Sequence, residues 1–266
     1  MTSEILSREQ LDQVAAIALQ AGEAILRVYG QTEVQVAHKA DASPVTAADI
    51  ASHESIVAAL TRQFPQYPVM SEEAADIPWE VRRHWSTYWL IDPLDGTKEF
   101  LKRNGEFTVN IALIHQGRAI AGVVYAPVLD KCYLGSLASG AWLVHQGETI
   151  RLDGAGKTDA VRPEPIVVGS RSHASPGLAA YLEALGAHSL LSVGSSLKFC
   201  LLAEGAADIY PRLGPTSEWD TAAAQAVLEA AGGRVTRYGT DEPLKYNQKA
   251  EILNPYFIAT APGWAK

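Results

Sequence analysis

Trp89-Leu90-Ile91-Asp92-Pro93-Leu94-Asp95-Gly96-Thr97, "WLIDPLDGT", is a short apolar run that ends in two acids with a proline between them. Tyr88–Ile91 has the length and residue types of a buried strand. Proline fixes its own φ and drives its predecessor into extended geometry, so Asp92 closes that strand and cannot open a helix. Asp95 is then carried round a tight turn, and Gly96-Thr97 can begin the next helical turn. Both carboxylates can thereby face one cleft, beside backbone N–H groups of the kind that bind anions at a helix start. A blander reading makes the pair an Asx-turn followed by a helix cap. Against it, two such acids repel by about 4 kcal/mol at roughly 4 Å and an effective dielectric of about 20.

On the N-terminal side, Ser7-Arg8-Glu9-Gln10 reads as a capping box. Leu11, Val14, Ala18, Ala21, Ile25 and Tyr29 follow at helical spacing, and Gly30 is placed to terminate the helix. A second helix is expected from Thr46 to just before Pro65, with Ile50, Val57 and Leu60 on its buried face. On the C-terminal side, Phe107–His115 alternates towards a turn at Gln116-Gly117-Arg118, and Ile120–Tyr125 returns as an antiparallel partner. Tyr133–Gly135, Ala141–Val144 and Thr149–Leu152 extend the same sheet.

"LDGAGKTDAVRPEP" (Leu152–Pro165) is rich in Gly, Pro and charge and marks a junction between two fused halves, 1–153 and 164–266. The second half alternates: strand Ile166–Gly169, helix Gly177–Leu185, strand Leu190–Val193, helix Leu197–Ala203, strand Ala207–Tyr210, helix Thr221–Ala231. Strands Arg234–Thr236 and Tyr256–Ala259 close it. Helices first, then a long antiparallel run, then alternating units, predict a layered α+β/α/β architecture.

Composition narrows the function. The chain has 266 residues, 47% hydrophobic and 20% charged, which is ordinary for a folded globular protein. Its longest stretch free of Asp, Glu, Lys and Arg, Cys132–Gly147, is too short and too polar for a membrane span. "MTSEILSREQ" has neither the basic nor the apolar region of a secretion signal. Two cysteines, Cys132 and Cys200, are too few for a disulfide framework, so a reducing, cytoplasmic setting is expected. Peripheral association with the inner face of the cell membrane and the oligomeric state are left open. A net charge of −8 disfavours a nucleic-acid polymer as partner.

Further acids occupy comparable settings: Glu72 in Ser71-Glu72-Glu73, Asp220 in Trp219-Asp220-Thr221, and Asp49 in Thr46-Ala47-Ala48-Asp49. Each taken singly reads as structural, Asp220 as an acid at a helix start and Asp49 as part of a capping box. Should Glu72, Asp92, Asp95 and Asp220 converge, either some are protonated or divalent cations hold them together. Carboxylates with a backbone carbonyl suit Mg²⁺, and no Cys/His spacing suits zinc.

At these residues the chain resembles the inositol monophosphatase superfamily, the Mg²⁺-dependent, lithium-inhibited phosphatases. Its two signature stretches match "WLIDPLDGTKEF" (Trp89–Phe100) and "WDTAAAQAVLEAAGG" (Trp219–Gly233). "KADASPVTAADI" (39–50), "PVMSEE" (68–73), "KEFLKRNGEFTVNIALI" (98–114), "SRSH" (170–173), "GSSLKFCLLAEG" (194–205) and "YPRLGPTSEWDTAA" (210–223) are similar to bacterial 3'(2'),5'-bisphosphate nucleotidases of the CysQ type. The resemblance implies the sugar-phosphatase fold, a sandwich of alternating α/β/α/β/α layers. It implies two or three Mg²⁺ held by Glu72, Asp92, the Leu94 carbonyl, Asp95 and Asp220. Glu72 and Thr97 would orient the attacking water, with Asp49 assisting at the more weakly held metal. The Gly96 and Thr97 amides would hold the scissile phosphate, Asp95, Lys98 and Asp220 are further substrate-binding positions, and His173, Ser195, Lys198 and Arg212 would contact the nucleotide's other end. The implied reaction removes the 3'-phosphate of adenosine 3',5'-bisphosphate, giving AMP, as in sulfur assimilation and nucleotide recycling.

Three other readings compete. An inositol or sugar monophosphatase could use the same scaffold, although Lys198 and Arg212 speak against it. Haloacid-dehalogenase-type phosphatases carry Asp-x-Asp-Gly-Thr, but here two residues separate the acids. A non-catalytic metal or nucleotide sensor would not need the complete acid set plus Thr97. For Lys198 itself, beside Leu197 and Phe199 on a helix, the plain alternative is a surface lysine with a buried stem.

Overall fold

The computed structural model describes residues 5–31, 36–38, 44–154, 164–169 and 176–264. The expected junction falls mostly on 155–163 and His173 on 170–175, both outside the described residues.

Helix α1 (Arg8–Tyr29) opens with the expected capping box, Ser7 paired reciprocally with Gln10. A short hairpin, β1 (Val36–His38) and β2 (Pro44–Thr46), leads into α2 (Ala47–Gln63), capped by Thr46 and Asp49. The expected buried face of α2 needs correction. Ile50 is exposed and Val57 only partly covered, while Ala48, Asp49, Ser52, Ile56, Ala59 and Leu60 are buried. Spacing alone counted apolar residues; the true inner face carries an acid and a serine because it meets polar chain at Pro93 and Thr97.

A seven-stranded sheet follows: β3 (Val69–Ser71), β4 (Thr87–Asp95), β5 (Thr108–His115), β6 (Arg118–Ala126), β7 (Lys131–Ser136), β8 (Gly140–His145) and β9 (Glu148–Leu152), in that spatial order. Neighbours are antiparallel except β3 and β4. The one-turn helices α3 (Trp79–Arg82) and α4 (Thr97–Leu101) flank β4. The rest of the chain forms β10 (Ile166–Gly169), α5 (Pro176–Leu185), β11 (Ser189–Ser192), α6 (Leu197–Glu204), β12 (Ile209–Arg212), α7 (Ala222–Ala230), β13 (Arg234–Arg237) and β14 (Phe257–Thr260). Its strands make a mixed sheet in the order β11-β10-β12-β14-β13.

The seven-stranded sheet separates two cores. Trp89, Ile91, Val109, Ile111 and Leu113 pack with α1 and α2, whereas Tyr88, Leu90, Ala112 and Ile114 pack with α6, α7 and the five-stranded sheet. The result is a layered α/β sandwich. Cys132 and Cys200 are free, buried, and sit in opposite cores.

That alternation explains the two acids, and it corrects the expectation that Asp92 ends the strand. β4 continues to Asp95. Asp92 lies opposite Asn110 and Asp95 opposite Thr108, so three residues of β4 span two of β5. This is a bulge, and one extra residue reverses the side-chain parity. Asp92 takes the face of Tyr88 and Leu90; without the bulge Asp95 would take the other. Leu94 accordingly packs in the α1/α2 core, and both carboxylates share the α7 face.

Helix α7 must lie close to that face. Its small residues, Ala222, Ala223, Ala224 and Ala226, are all buried, and it packs over β5, β6 and β7. Gly122 of β6 is paired with Gly135 of β7 beneath it, and a Cβ at Gly122 would stand 2.2 Å from the Ala223 carbonyl oxygen. Gly122→Ala therefore forces backbone apart and should cost about 1–3 kcal/mol. A denaturant titration that finds wild-type stability for this variant would refute the close approach.

Candidate active site

Three elements bring the acids together. Glu72 directly follows β3, with its N–H bonded to the Ile91 carbonyl of the neighbouring strand. Asp92 and Asp95 come from β4. Asp220 ends the Ser217–Asp220 turn in front of α7, its Oδ2 accepting from Thr216 Oγ1 at 2.6 Å and the Ser217 N–H at 2.9 Å. Carboxylate oxygens of Glu72, Asp92 and Asp220 lie within 4.8 Å of one another. Asp95 lines the same cavity of about 410 Å³ but stands outside that trio. Its Oδ2 is engaged by Ser196 Oγ at 2.7 Å.

The bland reading of Asp92 is half right. Its Oδ1 does accept the Leu94 N–H at 3.1 Å, as in an Asx-turn. The residue is nonetheless only 1% exposed, a burial no simple turn needs. Burial drives its pKa well up, and the charges of Glu72, Asp95 and Asp220 push the same way. Glu72 and Asp92 are close enough that the charge of each disfavours that of the other. Asp220 is pushed up to about 7, first by burial and then by Asp95, although the Thr216 and Ser217 bonds oppose the shift. This oxygen-only set fits a hard divalent cation, whose charge would offset the repulsion among the acids.

Leu94, Gly96, Thr97 and Lys98 line the cavity as the sequence predicts. Gly96 adopts φ +97, and a Cβ there would meet the Glu106 carbonyl oxygen at 3.2 Å. Asp49 is buried behind the cavity wall. Its Oδ2 accepts from the Thr46 N–H and Oγ1, both at 2.7 Å, and its Oδ1 from Thr97 Oγ1 at 3.1 Å. It is a capping residue that also holds Thr97.

Ser195, Lys198 and Arg212 line the same cavity. Lys198 is not a surface lysine: it is 7% exposed, and Nζ donates to the Ser195 carbonyl at 2.6 Å and more loosely to that of Val193. Burial lowers its pKa to about 8, with Arg212 acting in the same direction and Asp95 against it. The helical spacing could not show this, because the lysine turns back along its own N-terminal loop. Arg212 ends β12, which starts two residues later than expected; its Nη2 donates to the Pro215 carbonyl.

Sequence reasoning missed Asn110, Ser196, Thr216 and Ser217, which hold Asp95 and Asp220. One signal was available: Asn110 interrupts the apolar alternation of a buried strand.

Comparison with known proteins shows the family. Residues 7–262 match the inositol monophosphatase family, and the chain belongs to it. Among its relatives, the 3'(2'),5'-bisphosphate nucleotidase CysQ of Escherichia coli (strain K12) is 54% identical over 250 residues, covering 93% of this chain and 98% of that protein. The crystal structure of CysQ from Bacteroides thetaiotaomicron, 42% identical, superposes with a TM-score of 0.85 over 97% of this chain and 99% of that one. The extragenic suppressor protein suhB of Bartonella henselae is more distant, at 26% identity and a TM-score of 0.74 over 94% and 92% of the two chains.

The raised pKa values fix a sign. A carboxyl whose folded-state pKa exceeds its unfolded value stabilises the fold below the unfolded value, and that stability is lost as pH rises through the folded value. For Asp220 the window runs from 3.8 to about 7. In chelator, Asp220→Asn should therefore gain on wild type in thermal unfolding midpoint as pH climbs through this window. A difference independent of pH would refute the buried repulsion.

Proposed function

We propose that this protein is a Mg²⁺-dependent 3'(2'),5'-bisphosphate nucleotidase that hydrolyses adenosine 3',5'-bisphosphate to AMP and phosphate. The observation that carries the proposal is that one cavity is lined both by four acids, Glu72, Asp92, Asp95 and Asp220, and by two cations, Lys198 and Arg212. Lys198 and Arg212 are near enough for one to depress the pKa of the other, and an anion between them would relieve that repulsion. A substrate with two phosphates can use both the acids, through metal, and the cations; a monophosphate can use one of the two. The similarity to the CysQ proteins favours the same substrate.

Glu72, Asp92, Asp95, Asp220 and the Leu94 carbonyl would hold two or three Mg²⁺. When bound, Mg²⁺ supplies charge neutralisation of the phosphoryl group and of the departing oxygen, and lowers the pKa of a coordinated water. Glu72 and the Thr97 hydroxyl would orient the attacking water, Thr97 being kept in place by Asp49. The N–H groups of Gly96 and Thr97, with Lys98, would receive the scissile phosphate. Ser195, Lys198 and Arg212 would bind the remaining 5'-phosphate, arginine being suited to bidentate contact; His173 is a further candidate from sequence. No covalent enzyme intermediate is needed. Residues 1–153 and 164–266 would then be two halves contributing opposite sides of one site. A cytoplasmic location accords with the two buried free thiols, and no described helix is long and apolar enough to cross a membrane.

A phosphate-release screen with Mg²⁺ over adenosine 3',5'-bisphosphate, inositol 1-phosphate and fructose 1,6-bisphosphate tests the assignment. The adenosine bisphosphate should turn over fastest, and an equal or better rate with inositol 1-phosphate would displace it in favour of a monophosphatase. Asp92→Asn should lose at least about a hundredfold in turnover, yet unfold no more easily than wild type in chelator, since a repelling charge is gone. Arg212→Met should raise KM for the bisphosphate about 10- to 100-fold, the value of a charge-assisted hydrogen bond. Its effect on inositol 1-phosphate should be small.

A further inference from the structure

We propose that Ser196 is a positioning residue that ties two of the site acids together across separate elements, with Asn110 setting the direction of its hydrogen bonds. Ser196 is 1% exposed and stands at the N-cap of α6, a position where a serine ordinarily caps its own helix. Here the side chain makes no cap bond. Its Oγ lies 2.7 Å from Asp95 Oδ2 and 2.7 Å from the Asp220 carbonyl oxygen, so one hydroxyl touches an acid of β4 and the turn in front of α7.

The donor order follows from chemistry. Asn110, itself 1% exposed, brings Nδ2 to 2.9 Å from Ser196 Oγ and 3.4 Å from Asp95 Oδ2. An amide nitrogen only donates, so the Ser196 oxygen accepts there. Its single proton is left for Asp95 Oδ2 or the Asp220 carbonyl, and the charged carboxylate is the stronger acceptor. Turning the Asn110 amide over would set its oxygen against the Asp95 carboxylate and is excluded by repulsion. Two donors therefore converge on Asp95 Oδ2, which leaves Oδ1 as the oxygen for a cation. Without them, no described hydrogen bond would fix the rotation of the Asp95 carboxylate. The Asp220 carbonyl oxygen is the second acceptor within reach of that one proton, so the hydroxyl is divided between β4 and the turn in front of α7, with Asp95 the favoured partner.

The inference rests on the metal-site reading above, and the test separates the two. Mn²⁺ serves as the probe, its binding to substrate-free protein followed by electron paramagnetic resonance. Ser196→Ala should weaken Mn²⁺ binding about 10- to 100-fold, the usual effect of removing a group that orients a ligand. Because Ser196 acts through Asp95, the same substitution should add little further loss in an Asp95→Asn background. Asn110→Ala leaves the hydroxyl but removes its guide; it carries the same test should Ser196→Ala fail to fold. No Mn²⁺ binding by wild type would overturn the metal reading and this inference with it. Equal binding by wild type and Ser196→Ala would overturn this inference alone. A loss that is undiminished in the Asp95→Asn background would do so too, since it would mark a general structural effect.

Discussion

Repulsion among buried carboxylates is the constraint around which this molecule is arranged. Asp92 is almost fully enclosed, and its carboxylate lies within 4.8 Å of those of Glu72 and Asp220. Side chains free to move would separate. Their backbones cannot, because Glu72 and Asp92 belong to paired strands and Asp220 closes a turn that α7 holds against the same sheet. The packing energy of two cores thus keeps in place a set of charges that would otherwise disperse, and the strain is available to a divalent cation.

The means are local and specific. A bulge after Asp92 brings Asp95 to the same face, and glycines at 122 and 135 let an alanine-rich helix settle near enough for Asp220 to join. Hydrogen bonds then aim the individual oxygens: Thr216 and Ser217 hold Asp220, Ser196 and Asn110 hold Asp95, and Asp49 holds Thr97. The donors to Asp95 and Asp220 are all uncharged side chains or backbone, whereas Asp49 accepts from Thr97. Together they restrict rotation about the carboxylates, which is what distinguishes a prepared site from a cluster of acids.

The two cations follow a different logic. Lys198 is enclosed and donates to carbonyls of its own loop, which holds its ammonium group on the cavity that Arg212 also lines. Under the proposed function, these two cations are what would distinguish a molecule with two phosphates from one with a single phosphate.

Much of this was legible in the amino-acid order. Strand and helix positions came through because periodicity reports which face is buried, and the acids at Glu72, Asp92, Asp95 and Asp220 stood out because their neighbours are signature blocks of a known family. The errors share a cause. Ile50 was placed inside, and a surface position stayed open for Lys198, because hydropathy assigns each residue alone, whereas its burial depends on what lies opposite. By itself, then, the chain determined the layered fold class and the set of acids, both written in short-range pattern. Only tertiary structure decided which acids lie closest, that Asp95 is turned by a bulge and held by Ser196, and that Asp49 supports Thr97 from behind the cavity wall. Those outcomes depend on hydrogen bonds between residues up to 101 positions apart, and no local pattern encodes a partner at that distance.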